Sequence, residues 1–328
     1  MAPRLWPGRA STRAILLATA IGISASFGQV TLSAASQAAD APTANPGETL
    51  IGTPLRTPDF SQETFKRLSE DLAIAEARMR IAPDREDSFI WLGRRHGYLA
   101  NYEKAVEVFT QGLAKYPESY RLLRYRARHL ARSRQFAQSI TDYERAAQLM
   151  EDLPDTVEPD GMPNALGLPL GTYKSNIHYY WGQTSFAVGD YTTMLRGMER
   201  AMELVPDYAY NDLLVPTSLW RYMALMKLGR RAEAQRIIRA VPSDLSLIEN
   251  HAYYQAVQYL NGNLEEAESK SKNNILLAFT IAMQDMFEGN HTEAQARLEH
   301  IVKRSALGFW PAEVELVSTY KVTPQQAG

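Results

Sequence analysis

The feature that most constrains this chain is a pattern of apolar and small residues that recurs every 34 residues. In WLGRRHGYLANYEKAVEVFTQGLAKYP, residues 91–117, Gly93 is followed nine residues later by Tyr102, and then by an alanine, a phenylalanine, a glycine and a proline. A shift of 34 residues places Ala127 on Gly93 and Phe136 on Tyr102, so the frame is kept. Because a fixed period of this size is typical of stacked repeats, the stretch is predicted to be one unit of an array.

Units of the same kind precede and follow this stretch. An earlier apolar helix ends at Pro83, which lies 34 residues before Pro117. Gly93 and its counterpart Gly182 are 89 residues apart, which is two periods and 21 further residues. The surplus is predicted to be an inserted acidic loop, rich in proline and glycine, at about 154–174. Three weaker units farther on are each marked by a turn glycine: Gly229, Gly262 and Gly289.

The pattern resembles the tetratricopeptide repeat (TPR) family over about residues 61–318. GYLANYEKAVEVF and YWGQTSFAVGDYTTML carry most of the resemblance. It implies an all-α fold, a right-handed superhelix (α-solenoid) of antiparallel helix pairs, in a protein that binds other proteins. Two residues depart from the family pattern: Arg126 stands where an apolar residue is usual, and Ser139 replaces a tightly packed alanine. The physics agrees with the fold, because small residues let paired helices approach and each unit buries its apolar face against its neighbours.

Residues 1–38 are predicted to be a signal peptide. A basic start is followed by the apolar run AILLATAIGI and by small residues, with Ser36 and Ala38 before the predicted cut. Export to the periplasm is the favoured interpretation; the alternatives are an extracellular location and an uncleaved membrane anchor. Residues 39–60, rich in proline, are predicted to be a flexible linker, and residues 319–328 a C-terminal tail.

Composition restricts the chemistry that the chain can perform. Its 328 residues are 45% apolar and 22% charged, which is enough for a packed core, and the formal net charge of -2 gives no general attraction to nucleic acid. The chain has no cysteine, which excludes disulfides, thiolate catalysis and cysteine-ligated metals. We expect no nucleic-acid partner and no stable membrane insertion after signal cleavage.

No common catalytic or metal-binding motif is present in the sequence. It lacks a phosphate-binding loop with Gly-Lys-Ser/Thr, a Gly-x-Ser-x-Gly elbow and a His-Glu-x-x-His pair, and its six histidines are scattered. We therefore expect a non-catalytic protein without cofactor or metal. An enzyme with an unfamiliar site in the insertion, using Glu158 or His178, is the alternative of another class.

One helix of the second unit carries an unusual density of arginine. In YRLLRYRARHLARSR, residues 120–134, Arg121, Arg124, Arg128 and Arg132 follow the spacing of one helical face. Like charges stacked in this way cost about 0.2–0.5 kcal/mol per pair, so something should offset them. The family resemblance places the first helix of each unit on the concave face, and guanidinium groups bind carboxylates with fork geometry. The predicted partner-binding residues are Arg94, Tyr98, Arg121, Arg124, Arg128, Arg132, Asn176, Tyr179 and Gln183.

Other interpretations of these residues stay open. The arginine face could be solvated or paired with nearby acids. Alternatively, the acidic insertion could fold back over the arginines as an internal plug, in which case the arginine face is structural and the binding surface lies elsewhere. The stretches 208–229 and 248–256 concentrate aromatic residues and resemble parts of exported bacterial TPR proteins; they form either a second binding surface or core.

The sequence thus predicts an exported, non-catalytic TPR scaffold that binds a protein or an acidic peptide segment in an arginine- and tyrosine-lined groove. The alternatives are a carrier for a small anionic ligand, such as an acidic sugar or a cell-wall fragment, and an accessory subunit of an envelope enzyme.

Overall fold

Residues 47–324, which a computed structural model describes, form fourteen α-helices and no β-strand. Two short 3₁₀ turns, Phe186–Val188 and Asp207–Ala209, lie between them. The helices are α1 Gln62–Ile81, α2 Glu86–Tyr98, α3 Tyr102–Lys115, α4 Tyr120–Arg132, α5 Phe136–Leu149, α6 Tyr173–Ser185, α7 Tyr191–Leu204, α8 Tyr210–Lys227, α9 Arg231–Arg239, α10 His251–Leu260, α11 Ala267–Ser271, α12 Ile275–Glu288, α13 His291–Arg304 and α14 Trp310–Ser318.

Consecutive helices pack against each other as antiparallel pairs. α2 and α4 begin 34 residues apart, at Glu86 and Tyr120, and their partners α3 and α5 begin at Tyr102 and Phe136. The later pairs are α6–α7, α8–α9 and α12–α13, with α1 and α14 at the two ends. In the fifth unit, α10 packs on α8 and α12, and the short α11 that follows it packs on α12. First helices of neighbouring pairs also contact one another: α2 with α4, α4 with α6, α8 with α10, and α10 with α12. The prediction of an all-α solenoid of stacked helix pairs is confirmed.

The turns within the later helix pairs are made by glycine. These glycines have φ between 73° and 91°, a left-handed conformation that costs glycine little because it has no Cβ. The positions are Gly189, Gly229, Gly262 and Gly289. The three weaker units predicted from the turn glycines are therefore confirmed. The second helix of the fifth unit, α11, has only 5 residues, which matches the scarcity of apolar side chains after Ala267.

The two departures from the repeat pattern are accommodated by hydrogen bonds. Ser139 is fully buried, and its Oγ donates to the carbonyl oxygen of Ala127 at 2.7 Å. Arg126 lies at the edge of the same helix pair, where its Nε and Nη2 each donate to a carboxylate oxygen of Asp142 at 2.7 Å. A polar group is tolerated at a packed position when its hydrogen bonds are made inside the protein.

The C-terminal helix α14 contributes two buried carboxylates to ion pairs with earlier units. Glu313 accepts hydrogen bonds from Arg134 Nε at 3.0 Å and from Arg134 Nη2 at 2.5 Å, in the turn after α4. Glu315 accepts from Lys227 Nζ at 2.6 Å, at the end of α8, and both carboxylates are fully buried. The last helix therefore holds units together that are far apart in the sequence.

Aromatic packing extends the same contact. The ring centroid of Trp310, the first residue of α14, lies 5.4 Å from that of Phe136 and 6.4 Å from that of Phe186. Phe186 in turn lies 6.4 Å from Phe279 of α12. Units two, three and six thus share one aromatic cluster with α14.

Residues 47–56 form a turn that packs on α14 rather than a flexible linker. The backbone N–H of Leu50 donates to the carboxylate of Glu313 at 3.0 Å, and the side chain of Leu55 is buried. The flexible linker predicted over 39–60 is therefore wrong for residues 47–56. The physical reason is the buried carboxylate of Glu313, which accepts hydrogen bonds both from this segment and from Arg134 in the turn after α4.

Most of the predicted N-terminal region lies outside the described residues, namely the signal peptide, residues 1–38, and linker residues 39–46. In the predicted tail, Val322 N–H donates to the carbonyl oxygen of Leu316 at 3.0 Å, so the chain still packs on α14 there. No helix within residues 47–324 is both long and apolar enough to cross a membrane.

Candidate functional site

The predicted insertion is a loop that folds back onto α2, α4 and α6. Its two ends are tied together by main-chain hydrogen bonds, from Glu158 N–H to Gly171 O and from Tyr173 N–H to Thr156 O, each at 3.0 Å. An isolated β-bridge joins the same two chain segments. This base fixes the loop beside the first turn of α6. Beyond it runs the part that we call the acidic segment, residues 158–161.

The carboxylate of Glu158 binds the arginine face from within the chain. Its Oε2 accepts hydrogen bonds from Arg124 Nε at 2.9 Å and from Asn176 Nδ2 at 3.0 Å. Arg124 is 0% exposed and Glu158 is 4% exposed, so the ion pair is fully desolvated. Separating such a pair costs much more than separating a surface pair, because it leaves a charge buried without a partner.

The main chain of the acidic segment is held by two arginines of α2. Arg94 Nη2 donates to the carbonyl oxygen of Pro159, and Arg95 Nη1 donates to the carbonyl oxygen of Gly161, each at 2.9 Å. A Cβ at position 161 would collide with the Tyr98 hydroxyl and lie 2.6 Å from Arg94 Nη2, so glycine is required for this close approach. Side chains of α2 and α4 thus form hydrogen bonds with both the carboxylate and the backbone of the acidic segment.

Arg94 also forms hydrogen bonds with two tyrosines, one in α2 and one in α4. It is 3% exposed, its Nη1 donates to the Tyr125 hydroxyl at 2.9 Å, and its Nε donates to the Tyr98 hydroxyl at 3.2 Å. The guanidinium also lies 4.6 Å from the centroid of the Trp91 ring. Arginine stacked on aromatic rings and bonded to hydroxyls is held in one orientation.

The arginines at the two ends of the predicted face have different partners. Arg121 pairs with Glu86 and, at 3.0 Å, with Asp87, at the start of α2. Arg132, at the other end, lies 5.4 Å from the centroid of the Tyr102 ring and forms no ion pair with any residue of 47–324. Repulsion within the arginine face is therefore offset by internal carboxylates at one end and by aromatic rings at the other.

Arg128 lies between these two ends. Its guanidinium is 4.9 Å from the centroid of the Tyr180 ring, the same ring that Arg124 approaches at 4.9 Å. Both arginines thus contact the ring of one tyrosine.

The buried charges shift the protonation of their neighbours. Burial disfavours the charged form of Arg124, but the charge of Glu158 and the neighbouring tyrosines together outweigh this effect and raise the pKa of the guanidinium. Burial, and then the charges of Arg132 and Arg128, hold the pKa of His129 well below its usual range. Burial also raises the pKa of Asp160 in the acidic segment. The arginines are therefore permanently charged, and His129 is neutral at physiological pH.

The structure brings together some of the predicted groove residues and separates others. Arg94, Tyr98, Arg124 and Asn176 surround the acidic segment, whereas the Tyr179 hydroxyl donates to that of Tyr253 in α10, at 3.3 Å. Four of the nine are buried, namely Arg94, Arg124, Tyr179 and Gln183. The other five are partly exposed, namely Tyr98, Arg121, Arg128, Arg132 and Asn176. Their role in binding a partner stays a prediction.

Three residues of this site were missed by sequence reasoning. Arg95 and Tyr125 do not fall on the predicted face, and Glu158 was interpreted as a catalytic alternative or as part of a solvated loop. The available signal was the position of an acidic loop directly after an arginine-rich helix pair, which is what the plug interpretation used. The contacts of the acidic segment are those that this interpretation describes.

A shallow pocket opens beside the acidic segment; its cavity volume is about 50 Å³, within about 560 Å³ of empty space that is largely open solvent. Its wall includes the rings of Tyr179 and Tyr180 and four acidic side chains, and no lysine or arginine contributes to it. The acidic side chains are Glu158, Asp160, Asp212 and Glu249. With Glu158 in place, this wall disfavours a small anion. Within residues 47–324, no three histidine, aspartate or glutamate side chains are arranged to hold a metal ion.

The aromatic stretches 208–229 and 248–256 mainly build core. Trp220 and Tyr253 are 1% exposed and Tyr222 is 5% exposed. Tyr208 and Tyr210, which are about half exposed, are the exceptions. Of the two interpretations given for these stretches, core describes most of their aromatic residues.

The order of the stacked antiparallel helix pairs defines an α-solenoid. Similar solved structures include YrrB, a TPR protein with an unusual peptide-binding site, at 12% identity and a TM-score of 0.41, with 76% of this chain and 94% of that chain covered. Nearly identical TPR-like repeats of a putative kinesin light chain from Podosopora anserina match at 14% identity and a TM-score of 0.41, with 72% and 98% covered. No known family model matches the chain, and no curated protein does. The assignment of the fold rests on the helix pairs themselves.

Proposed function

We propose that this protein is an exported, non-catalytic scaffold that binds another protein in the groove formed by α2, α4 and α6. The element that it binds is an extended acidic segment of the partner, and the arginine and tyrosine side chains of the groove are the recognition groups. The mechanism is preorganised recognition, in which side chains already held in place lose little entropy on binding.

The acidic segment of the insertion is the observation that carries this proposal. One carboxylate and two backbone carbonyl oxygens of an extended stretch are bound by side chains from three helices. Charge-assisted hydrogen bonds to a carboxylate and to carbonyl groups are the contacts that a bound acidic peptide needs. The groove therefore already holds a ligand of the proposed class, supplied by the chain itself.

The part of the arginine face beyond the acidic segment offers the next contacts. Arg132 is partly exposed and has no internal carboxylate, and the partly exposed Tyr98 lies on the neighbouring helix. A longer acidic segment that enters at Glu158 can continue along these side chains. This length favours a protein partner over a small anion, because a small anion cannot contact all of these side chains at once.

The N-terminal sequence supports the exported location. Its basic start, apolar run and small residues before Ala38 are the three parts of a signal peptide. Partners are then expected among the proteins of the periplasm or the cell exterior.

Site-specific photo-crosslinking in the producing cells tests the proposal. A photoreactive phenylalanine analogue placed at Arg132 or at Tyr98 lies in the groove. The same analogue at Ala114 of α3 or at Glu144 of α5 lies on an exposed face of a second helix and is the matched control. We expect a discrete protein adduct from the groove positions and none from the controls. Equal adducts from both sets, or adducts from the controls alone, would contradict the proposed groove.

A further inference from the structure

The guanidinium of Arg124 makes one hydrogen bond to Glu158 and has further donors that no residue of the described chain accepts. Its Nε donates to Glu158, but Nη1 and Nη2 are buried without a hydrogen-bond partner among the described residues. The guanidinium lies between the rings of Tyr125 and Tyr180, with centroids 4.9 Å from its central carbon on both sides. A guanidinium presents a planar fork that fits both oxygens of one carboxylate, and here most of the fork is unengaged.

Other donors complete the surroundings of this guanidinium. The side-chain amide of Asn176 donates to the same carboxylate oxygen as Arg124, at 3.0 Å. The hydroxyl of Tyr143 is also buried without a hydrogen-bond partner. Burial raises the pKa of Tyr143, and the charge of Arg124 acts on this phenol in the opposite direction. Arginine and amide donors thus meet at one carboxylate oxygen, and a buried phenol without a partner lies within the electrostatic influence of the arginine.

The place of the carboxylate borders on open space. Glu158 and Asn176 both contribute to the wall of the shallow pocket beside the acidic segment. The backbone N–H of Glu158 is tied to Gly171, so the side chain of Glu158 can leave by rotating about its own bonds while the base of the loop stays in place. A carboxylate from outside can therefore reach the position that Glu158 gives up.

We propose that Arg124, Asn176 and Tyr143 form a carboxylate-binding site that Glu158 occupies from within the chain, and that a carboxylate of an acidic partner segment binds there in its place. This inference rests on the proposed function and names the chemistry of its central contact. One carboxylate replaces another, so the buried arginine never loses its counter-charge during the exchange. Glu158 is consequently an internal competitor that lowers the affinity of the wild-type groove.

Chemical rescue tests the site without any knowledge of the partner. Glu158→Ala removes the internal carboxylate and leaves Arg124 buried without a counter-charge, so its melting temperature should fall. Sodium acetate at about 0.1 M should restore at least about 2 °C more than sodium chloride of equal ionic strength does. Wild type and the double variant Glu158→Ala/Arg124→Met are the controls, and neither should show this difference. Identical effects of acetate and chloride on all three chains would overturn the proposal.

A second variant covers the case in which Glu158→Ala does not fold. Glu158→Gln keeps the size of the side chain but gives up its charge, so it should be displaced more easily. The probe is the synthetic peptide DTVEPDGM, which reproduces residues 155–162, and its control is DTVQPDGM. We expect the variant to bind the first peptide about tenfold more tightly than wild type does, since 1.4 kcal/mol is a tenfold change, and to bind the control peptide weakly. Equal affinities for the two peptides would overturn the site.

The two proposals can fail separately. If groove positions crosslink to a partner while acetate and the charged peptide show no preference, the scaffold stands and the carboxylate site is wrong. If acetate rescues the variant while the groove positions yield no adduct, the carboxylate site stands and the scaffold proposal is wrong.

Discussion

Arg134 shows how a single residue can accept backbone strain in return for a long-range contact. Its φ is +60°, at the turn position where four later units have glycine. A non-glycine residue in this conformation costs about 1 kcal/mol. Its guanidinium offsets that cost by neutralising Glu313, which is fully buried in α14.

Arg134→Gly is predicted to destabilise the protein although it removes backbone strain. It leaves the carboxylate of Glu313 buried without its cation, so the free energy of unfolding should fall by about 2–4 kcal/mol. The control is Ala100→Gly, since Ala100 has a φ of +64° in the equivalent turn of the preceding unit and carries no ion pair. That variant should stay within about 1 kcal/mol of wild type. Urea unfolding measures both, and equal stabilities of the two variants would contradict the role of the ion pair.

His129 predicts a specific loss of stability in acid. It is 4% exposed, stacks on Tyr102 and Phe109, and its pKa is held well below 6.5 in the folded state. Below about pH 6.5 the unfolded chain therefore binds a proton that the folded chain does not. As the pH is lowered through this range, the free energy of unfolding decreases by up to about 1.4 kcal/mol per pH unit. His129→Leu should reduce this slope between pH 6.5 and 5, while His96 and His178, whose pKa values burial also lowers, keep their own contributions. Unfolding free energies measured across that range decide it, and parallel curves for variant and wild type would refute the assignment.

At the scale of elements, the close pairing of α6 and α7 depends on two glycines that face each other. A Cβ on Gly197 would lie 2.7 Å from the carbonyl oxygen of His178 and 2.9 Å from the Cα of Gly182. Both are backbone atoms, so the clash can be relieved only if the helices move apart.

Gly197→Ala is therefore predicted to destabilise the protein by about 1–3 kcal/mol, against the usual gain from alanine in a helix. Thr192→Ala, on an exposed position of the same helix, is the control and should change stability by less than about 0.5 kcal/mol. Thermal unfolding of both variants measures the difference. A Gly197→Ala variant as stable as its control would show that the two helices are not in this close contact.

The helix pairs could be predicted from the sequence because they repeat. The positions of Gly93 and Tyr102 recur 34 residues later as Ala127 and Phe136. Each unit contacts mainly its neighbours, so the local pattern carries most of the packing information. The helix α14 and residues 47–56 follow no period. They are placed by Glu313, whose ion-pair partner Arg134 is 179 residues away, and a contact of that length leaves no local pattern.

The candidate site was predictable in its residue types but not in its pairing. The spacing of Arg121, Arg124, Arg128 and Arg132 indicated one charged helical face, and the acidic loop after it offered an internal plug as one interpretation. What periodicity does not give is the path of an inserted loop. That path decides that Arg124 meets Glu158 and that Arg95 binds the backbone of Gly161.

At the scale of the whole molecule, α14 joins units that a simple repeat array would leave independent. In a linear solenoid each unit contacts only its neighbours, and local openings are frequent at the ends. Here the ring of Trp310 contacts Phe136 and Phe186, in units two and three. We expect the described part of the chain to unfold as one cooperative unit.

Trp310→Ala is predicted to lower the free energy of unfolding by about 3–5 kcal/mol. The loss should be transmitted to its distant contacts, so amide hydrogen exchange should accelerate around Phe136 and in the turn at Phe186–Val188. Exchange in α3, which α14 does not touch through this ring, is the internal control. Acceleration confined to α13 and α14 would show that the last helix does not join the units.

The buried ion pair between Glu158 and Arg124 joins the acidic insertion to the arginine face of α4. A double-mutant cycle with Arg124→Met, Glu158→Ala and the combined variant, followed by urea unfolding, tests it most directly. Each single change should cost about 3–5 kcal/mol, because each strands one buried charge, and the combined variant should cost less than the sum by about 2–3 kcal/mol. If the two single losses of unfolding free energy add to within about 0.5 kcal/mol of the loss in the combined variant, the two side chains do not interact. That result would contradict the contact between the insertion and α4.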